Sequence, residues 1–188
     1  MASFEMSSLQ SNSYQVKSSQ AEIRSPYKFR KGLRERDFSI GFGSDITTKR
    51  FGKRTEVDMI QALPRWGRFR NATQEFLWEV PLTVFTKPGT SVAGGVNLMF
   101  RQHLLSNRRF SPFVEIGPGL TLTSLKTREL GGAFQFSAQG GAGIRAALSE
   151  RSDMVVGARW YHLSNAGLRS PNTGLNNYLI TVGYSRLY

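Results

Sequence analysis

From residue 73 to its last residue the chain alternates between apolar and polar positions with a period of two, in stretches of roughly ten residues bounded by Gly, Pro, Asn or Ser. A period of two sends successive side chains to opposite faces, so it argues against helices and for a sheet with one greasy side. In residues 110–123, Phe110, Pro112, Val114, Ile116, Pro118, Leu120 and Leu122 oppose Ser111, Phe113, Glu115, Gly117, Gly119, Thr121 and Thr123. In residues 134–148, Phe134, Phe136, Ala138, Ile144 and Leu148 oppose Gln135, Ser137, Gln139 and Arg145. Residues 74–85 and 92–101 sort the same way, with Phe76, Trp78, Val80, Leu82 and Val84, then Val92, Val96, Leu98 and Phe100, on their apolar faces. Segments at 38–46, 57–66, 153–164 and 177–188 complete a set of eight strands, of which 57–66 is the least regular.

Eight amphipathic antiparallel strands close either as a soluble barrel or sandwich with the apolar face inside, or as a membrane barrel with that face outside. The polar face carries Glu75, Glu79, Arg101, Glu115, Arg145 and Arg159 at mid-strand, interspersed with glycines. Such charges suit the packed interior of a narrow barrel, where they can pair, and equally the solvent face of a sandwich. The last strand decides between the two: Tyr178, Ile180, Val182, Tyr184 and Tyr188 form an apolar, aromatic stripe ending on the terminal residue, as outer-membrane barrels do. Tyr184, Tyr188, Trp78, Trp160 and Phe110 would form interfacial girdles. Arg186, the one charge on that stripe, can snorkel from the strand's end, whereas at mid-bilayer it would cost roughly 2–4 kcal/mol. The expected fold is all-β, an eight-stranded antiparallel transmembrane β-barrel of outer-membrane type over residues 37–188. A polar, basic N-terminal segment, residues 1–36, is expected to be flexible or periplasmic.

No stretch reaches the roughly 18 uncharged apolar residues of a spanning helix, so membrane residence has to come from strands or interfacial contact. The net charge of +12 points to a partner rich in negative charge, and much of it lies in residues 17–36 and 49–70. A soluble nucleic-acid-binding barrel would expose stacking aromatics in a basic groove. Here the aromatics share faces with Val, Leu and Ile, and no nucleic-acid partner is expected. The stretch MASFEMSSLQSNSYQ lacks the features of a secretory leader, so an outer-membrane location requires a leader removed from, or encoded upstream of, this sequence. Cysteine is absent, which leaves no thiolate or disulfide chemistry, and two histidines far apart with no matched carboxylates make no metal site. No metal and no cofactor is expected.

One of those histidines stands in YHLSNAGLRSPNTGLNNY, residues 161–178. His162 and Ser164 are two apart on a strand and share a face with Met154, Val156, Ala158 and Trp160, the face that would meet lipid. An imidazole and a hydroxyl are expensive there unless they are used. His162, Ser164 and Asn165, followed by Pro171, Asn172 and Gly174, resemble the signature of the lipid A 3-O-deacylases of the PagL type, eight-stranded outer-membrane esterases. The similarity extends back through FSPFVEIGPGL and FQFSAQGGAGIR, over roughly residues 75–188.

The resemblance implies acyl transfer, with His162 taking the proton of Ser164 as it attacks an ester carbonyl of lipid A. It also implies that Asn172, with backbone N–H groups around Asn165 and Ala166, stabilises the oxyanion, and that Gly174 belongs to the same motif. Where the family has a glutamate, fourteen residues after the histidine, this chain has Asn176, with the outward parity of Tyr178 and Ile180. Its carbonyl can orient the imidazole but cannot offset imidazolium charge, and in a serine triad an Asp-to-Asn change costs about 10⁴ in turnover. Glu75, Glu79 and Glu115 face the other way. Lys126, Arg128 and Arg169, in loops at the same rim, are expected contacts for lipid A phosphates. The expected partners are lipid A or lipopolysaccharide and outer-membrane lipids, with a homodimer left open. The competing expectation is a non-catalytic outer-membrane barrel of envelope or adhesin type that has lost the activity.

Overall fold

Backbone polar groups cannot reach water inside a bilayer, so an alternating chain of this kind is stable there only if its sheet closes on itself. In the computed structural model, which describes residues 28–45, 55–105 and 109–188, it does. The strand segments are β1 Arg34–Asp45, β2 Asp58–Phe69, β3 Gln74–Glu79, β4 Leu82–Phe85, β5 Ser91–His103, β6 Phe110–Thr123, β7 Phe134–Ala147, β8 Ser152–Ser164 and β9 Leu175–Leu187. β3 and β4 are one barrel strand. Pairings such as Glu79↔Asn97 and Leu82↔Gly94 keep one register across the break, which falls where Pro81 has no N–H to give the ladder. Every neighbour is antiparallel, and β1 pairs with β9, Phe38 opposite Tyr184, to close a barrel of eight strands. No helix of the described residues is long and apolar enough to cross a membrane; the barrel crosses with its strands.

The expected sorting holds strand by strand. Ile116 is 65% and Ile180 60% exposed on the outside, while Glu75, Glu79 and Arg101 are fully buried within. The interior is layered. At mid-height Arg159 reaches Glu79 at 2.8 Å and Glu115 at 2.6 Å, Arg101 reaches Glu115 at 2.9 Å and Arg65 reaches Glu79 at 2.7 Å, and towards the end where β1 begins Arg145 pairs with Glu35. One end is filled by Met59, Leu63, Phe85, Leu130, Leu163, Leu175 and their neighbours. The other is filled by Phe29, Phe69 and Leu187. These two apolar fillings explain the irregular pattern of β2, whose inward residues Met59, Leu63 and Phe69 sit above and below the polar Gln61 and Arg65.

The first strand begins at Arg34, earlier than the boundary at residue 37 expected from sequence, because Glu35 turns inward to Arg145 and extends the alternation. Residues ahead of it are also fixed. Phe29 stacks on Phe69 with ring centroids 4.4 Å apart and packs against His103 at 4.7 Å, and Lys28 pairs with Asp153. The basic segment expected over residues 1–36 therefore does not extend as a free tail to its end, and residues 1–27 lie outside the described residues.

β2, β5, β7 and β9 end at one rim, and β1, β4, β6 and β8 end at the opposite one. Outer-membrane barrels carry short turns on the periplasmic side and longer loops outside, which orients the molecule. Spin labels at Val114 and Ile144, on adjacent strands of the outer wall, should report a lipid or detergent environment. Dry protein packing around both would contradict the orientation of the wall.

Candidate active site

β8 ends and β9 begins at the outer rim, and their outward residues meet there. His162 is directly opposite Asn176 in the β8–β9 ladder, and its Nδ1 lies 2.9 Å from the Asn176 Oδ1. Because an amide oxygen only accepts, Nδ1 carries the proton and Nε2 keeps a free lone pair. That is the tautomer a general base requires. Trp160, one step down the same face, lies nearly parallel to the imidazole, with ring centroids 5.6 Å apart and 18° between planes. A tryptophan face so placed stabilises an imidazolium by cation–π attraction, typically about 0.5–2 kcal/mol. From sequence Trp160 is a girdle residue on the face of His162, and the fold adds the stacking of its ring on the imidazole.

Ser164 continues that face, one pleat beyond His162 and opposite Phe136 of β7. Both are half-buried. Ser164 and His162 stand as neighbours on that face with no hydrogen bond between them. Glu75, Glu79 and Glu115 are all in the lumen with arginine partners, as their parity required. Among the described residues no group of three His, Cys, Asp or Glu side chains could hold a metal ion.

The 165–174 loop is held by its own polar side chains. The Asn165 backbone N–H donates to Asn172 Oδ1 at 2.8 Å, the Asn165 side-chain amide donates to the Arg169 carbonyl at 2.8 Å, and Gly167 N–H donates to Asn165 Oδ1 at 3.0 Å. Asn165 is buried by this role, and its backbone N–H, expected from sequence to face an oxyanion, is already engaged by Asn172. Ala166 follows at the corner with φ 52°. Gly174 has φ 70°, and a Cβ there would lie 2.7 Å from Cε1 and 3.2 Å from Nε2 of His162. Glycine is thus required twice over, by its backbone and by the imidazole packed on it.

This loop is fastened to the 124–133 loop by a bridge between Leu130 and Asn172 and by Gly174 N–H donating to the Glu129 carbonyl at 3.3 Å. Nothing in the local sequence signals that fastening, since the two loops are far apart in the chain. Lys126, Arg128 and Arg169 are exposed on these same two loops. Arg169 folds beside Gly132 at the edge of a cavity of about 300 Å³ that also touches Leu122, Phe134 and Leu168.

The family model described as lipid A 3-O-deacylase (PagL) matches residues 47–185. The lipid A deacylase PagL of Bordetella bronchiseptica is 37% identical over 75 residues, covering 38% of this chain and 40% of that protein. The Pseudomonas aeruginosa protein of the same name is 31% identical over 107 residues, covering 54% and 59%. The matched segments thus span about half the length of these relatives. Among solved structures, the outer-membrane enzyme PagL superposes with a TM-score of 0.58 at 21% identity, over 79% of this chain and 97% of that one. Neisserial surface protein A superposes with a TM-score of 0.64 at 12% identity, over 84% and 100%.

Gly174→Ala should displace the imidazole and add roughly 1–2 kcal/mol of backbone strain. The barrel should still fold, as read by its gel mobility before and after heating, while the His162 ring resonances move in NMR spectra taken in detergent. Unchanged ring resonances would show that Gly174 does not seat the histidine.

Proposed function

The chain belongs to the lipid A 3-O-deacylase family, and from that membership we propose that it is an esterase that removes an ester-linked acyl chain from lipid A. The chain is a protein of the Gram-negative outer membrane, an eight-stranded barrel. The observation that carries the proposal is the 2.9 Å hydrogen bond from His162 to Asn176, beside Ser164, on the lipid-facing wall at the outer rim. A barrel alone carries no function, since a PagL enzyme and a Neisserial surface protein both superpose on it.

In the proposed reaction His162 Nε2 takes the Ser164 hydroxyl proton as Oγ attacks the ester carbonyl, and the carbonyl electrons pass to oxygen. Collapse of this tetrahedral intermediate expels the sugar alkoxide, which leaves with the proton from the imidazolium, and water then hydrolyses the acyl-serine by the same steps. With the Asn165 N–H engaged, the oxyanion donors are the Ala166 N–H and the Asn172 side-chain amide nitrogen; each such donor is typically worth about 2.7–4 kcal/mol. Asn176 performs half of what a carboxylate does here: it sets the tautomer and leaves the imidazolium charge uncompensated. Trp160 supplies part of the missing stabilisation. Lys126, Arg128 and Arg169 hold the lipid A phosphates where the two fastened loops meet the headgroups.

Purified barrel should shorten lipid A by one acyl chain in mass spectra, and Ser164→Ala and His162→Ala should each abolish that change without unfolding the barrel. Asn176→Glu should raise turnover about 10²-fold, within the roughly 10⁴ that the third residue of a serine triad supplies. The gain should be larger when Trp160→Leu removes the stacked ring. If wild type and Asn176→Glu are both inert in folded barrels, the chain is a non-catalytic envelope barrel, the reading that the loss of the family's glutamate favours. Neutralising Lys126, Arg128 and Arg169 together should weaken association with lipid A and flatten its salt dependence; unchanged binding would assign the phosphates elsewhere.

A further inference from the structure

At the periplasmic rim, opposite the site, the outward positions of β1, β2 and β9 change from apolar to cationic. Arg34 lies directly opposite Arg68, and Arg36 directly opposite Arg186. Like charges facing each other across antiparallel strands repel. Glu35, the acid between Arg34 and Arg36 in sequence, points into the lumen and is committed to Arg145. Among the described residues, Lys28, Arg65, Lys87, Arg101, Arg145 and Arg159 make ion pairs. Lys31, Arg34, Arg68 and Arg70 take no part in them, nor do Arg36 and Arg186.

Those four cations line the mouth of one cavity of about 590 Å³ on the outer wall. Its floor is aromatic: Trp66, Phe76, Trp78 and Tyr188 line it, with Trp66 directly opposite Trp78 and Phe76 directly opposite Arg68. Arg36 lies over the face of the Tyr188 ring, 5.3 Å from its centroid. A free soluble anion would have no use for the apolar floor, and a neutral acyl chain would have none for the cations. A zwitterionic headgroup would bring its ammonium to a cationic rim.

We propose that this groove binds an anionic phospholipid of the periplasmic leaflet, with the phosphodiester among Lys31, Arg34, Arg68 and Arg70 and an acyl chain along Trp66, Phe76 and Trp78. The bound phosphate removes the repulsion between Arg34 and Arg68 and anchors the barrel in depth at the end remote from its substrate. The site is independent of any catalysis at the outer rim.

The full chain, assembled in nanodiscs of equal parts phosphatidylcholine and phosphatidylglycerol, is released into mild detergent, and the lipids retained are counted by native mass spectrometry. Wild type should retain phosphatidylglycerol over phosphatidylcholine by about tenfold or more, given the attraction that each cation contributes at a membrane surface. The variant Lys31→Gln, Arg34→Gln, Arg68→Gln, Arg70→Gln should lose that preference, and Arg34→Lys, Arg68→Lys, Arg70→Lys should keep most of it. Should the fourfold variant fail to insert, Arg34→Gln and Arg68→Gln are read singly, each expected to lower the preference about fivefold. Equal retention of the two lipids by wild type, or an undiminished preference in the Gln variants, overturns the proposal. So does lipid A displacing phosphatidylglycerol from wild type but not from the Gln variants, which would make the groove a second lipid A site.

Discussion

The ion-pair network through the lumen is what the rest of the molecule rests on. A chain that turns its apolar residues outward must fill its narrow interior with what is left, and Arg65, Arg101, Arg145 and Arg159 do so by reaching across to Glu35, Glu79 and Glu115. Burying such charges sets a large desolvation cost against their attraction, so the network is weak evidence of net stabilisation. Its contribution is geometric. Arg159 ties β8 to both β3 and β6, and its neighbours Tyr161 and Leu163 pack into the same interior, so the strand carrying His162 and Ser164 cannot slide or twist freely. The outward residues inherit fixed positions from the inward ones between them.

A site on such a wall differs from one in a cleft. His162, Ser164 and Asn176 stand on the lipid side of a sheet, and the polar 165–174 loop lies above them at the rim. The loop geometry is built locally by Asn165 and Asn172 and then fastened to a neighbouring loop through Leu130 and Glu129. The Asn176 side-chain oxygen accepts from His162 Nδ1, and a hydrogen-bond acceptor suffices to set a tautomer. Compensating the charge of an imidazolium takes a negative charge or a π face, and Trp160 offers the latter here.

The two rims are built from opposite materials. The outer one is polar loops over an apolar interior cap; the inner one is an aromatic plug of Phe29 and Phe69 surrounded by arginines on the outside. The parity of Glu75, Arg145, His162 and Asn176 was legible from sequence, because alternation is a local property and a strand has only two faces. The plug was not legible. Phe29 sits in a basic, polar stretch and is buried by Phe69 and His103, both distant in the chain. The engagement of the Asn165 N–H was hidden for a similar reason, since which of several loop donors finds the Asn172 Oδ1 depends on the turn's shape.

Sequence by itself determined the period, hence the strands, their apolar and charged faces, and the placing of His162, Ser164 and Asn176 on one face. Each of those follows from the two-residue repeat of an extended chain, without knowledge of any partner strand. Tertiary structure alone decided the register that sets His162 against Asn176, the packing of Gly174 on the imidazole and the plug at the inner rim. It also decided the facing of Arg34 by Arg68. All of these are contacts between segments that only barrel closure brings together, and closure is fixed by the pairing of the whole sheet rather than by any one strand.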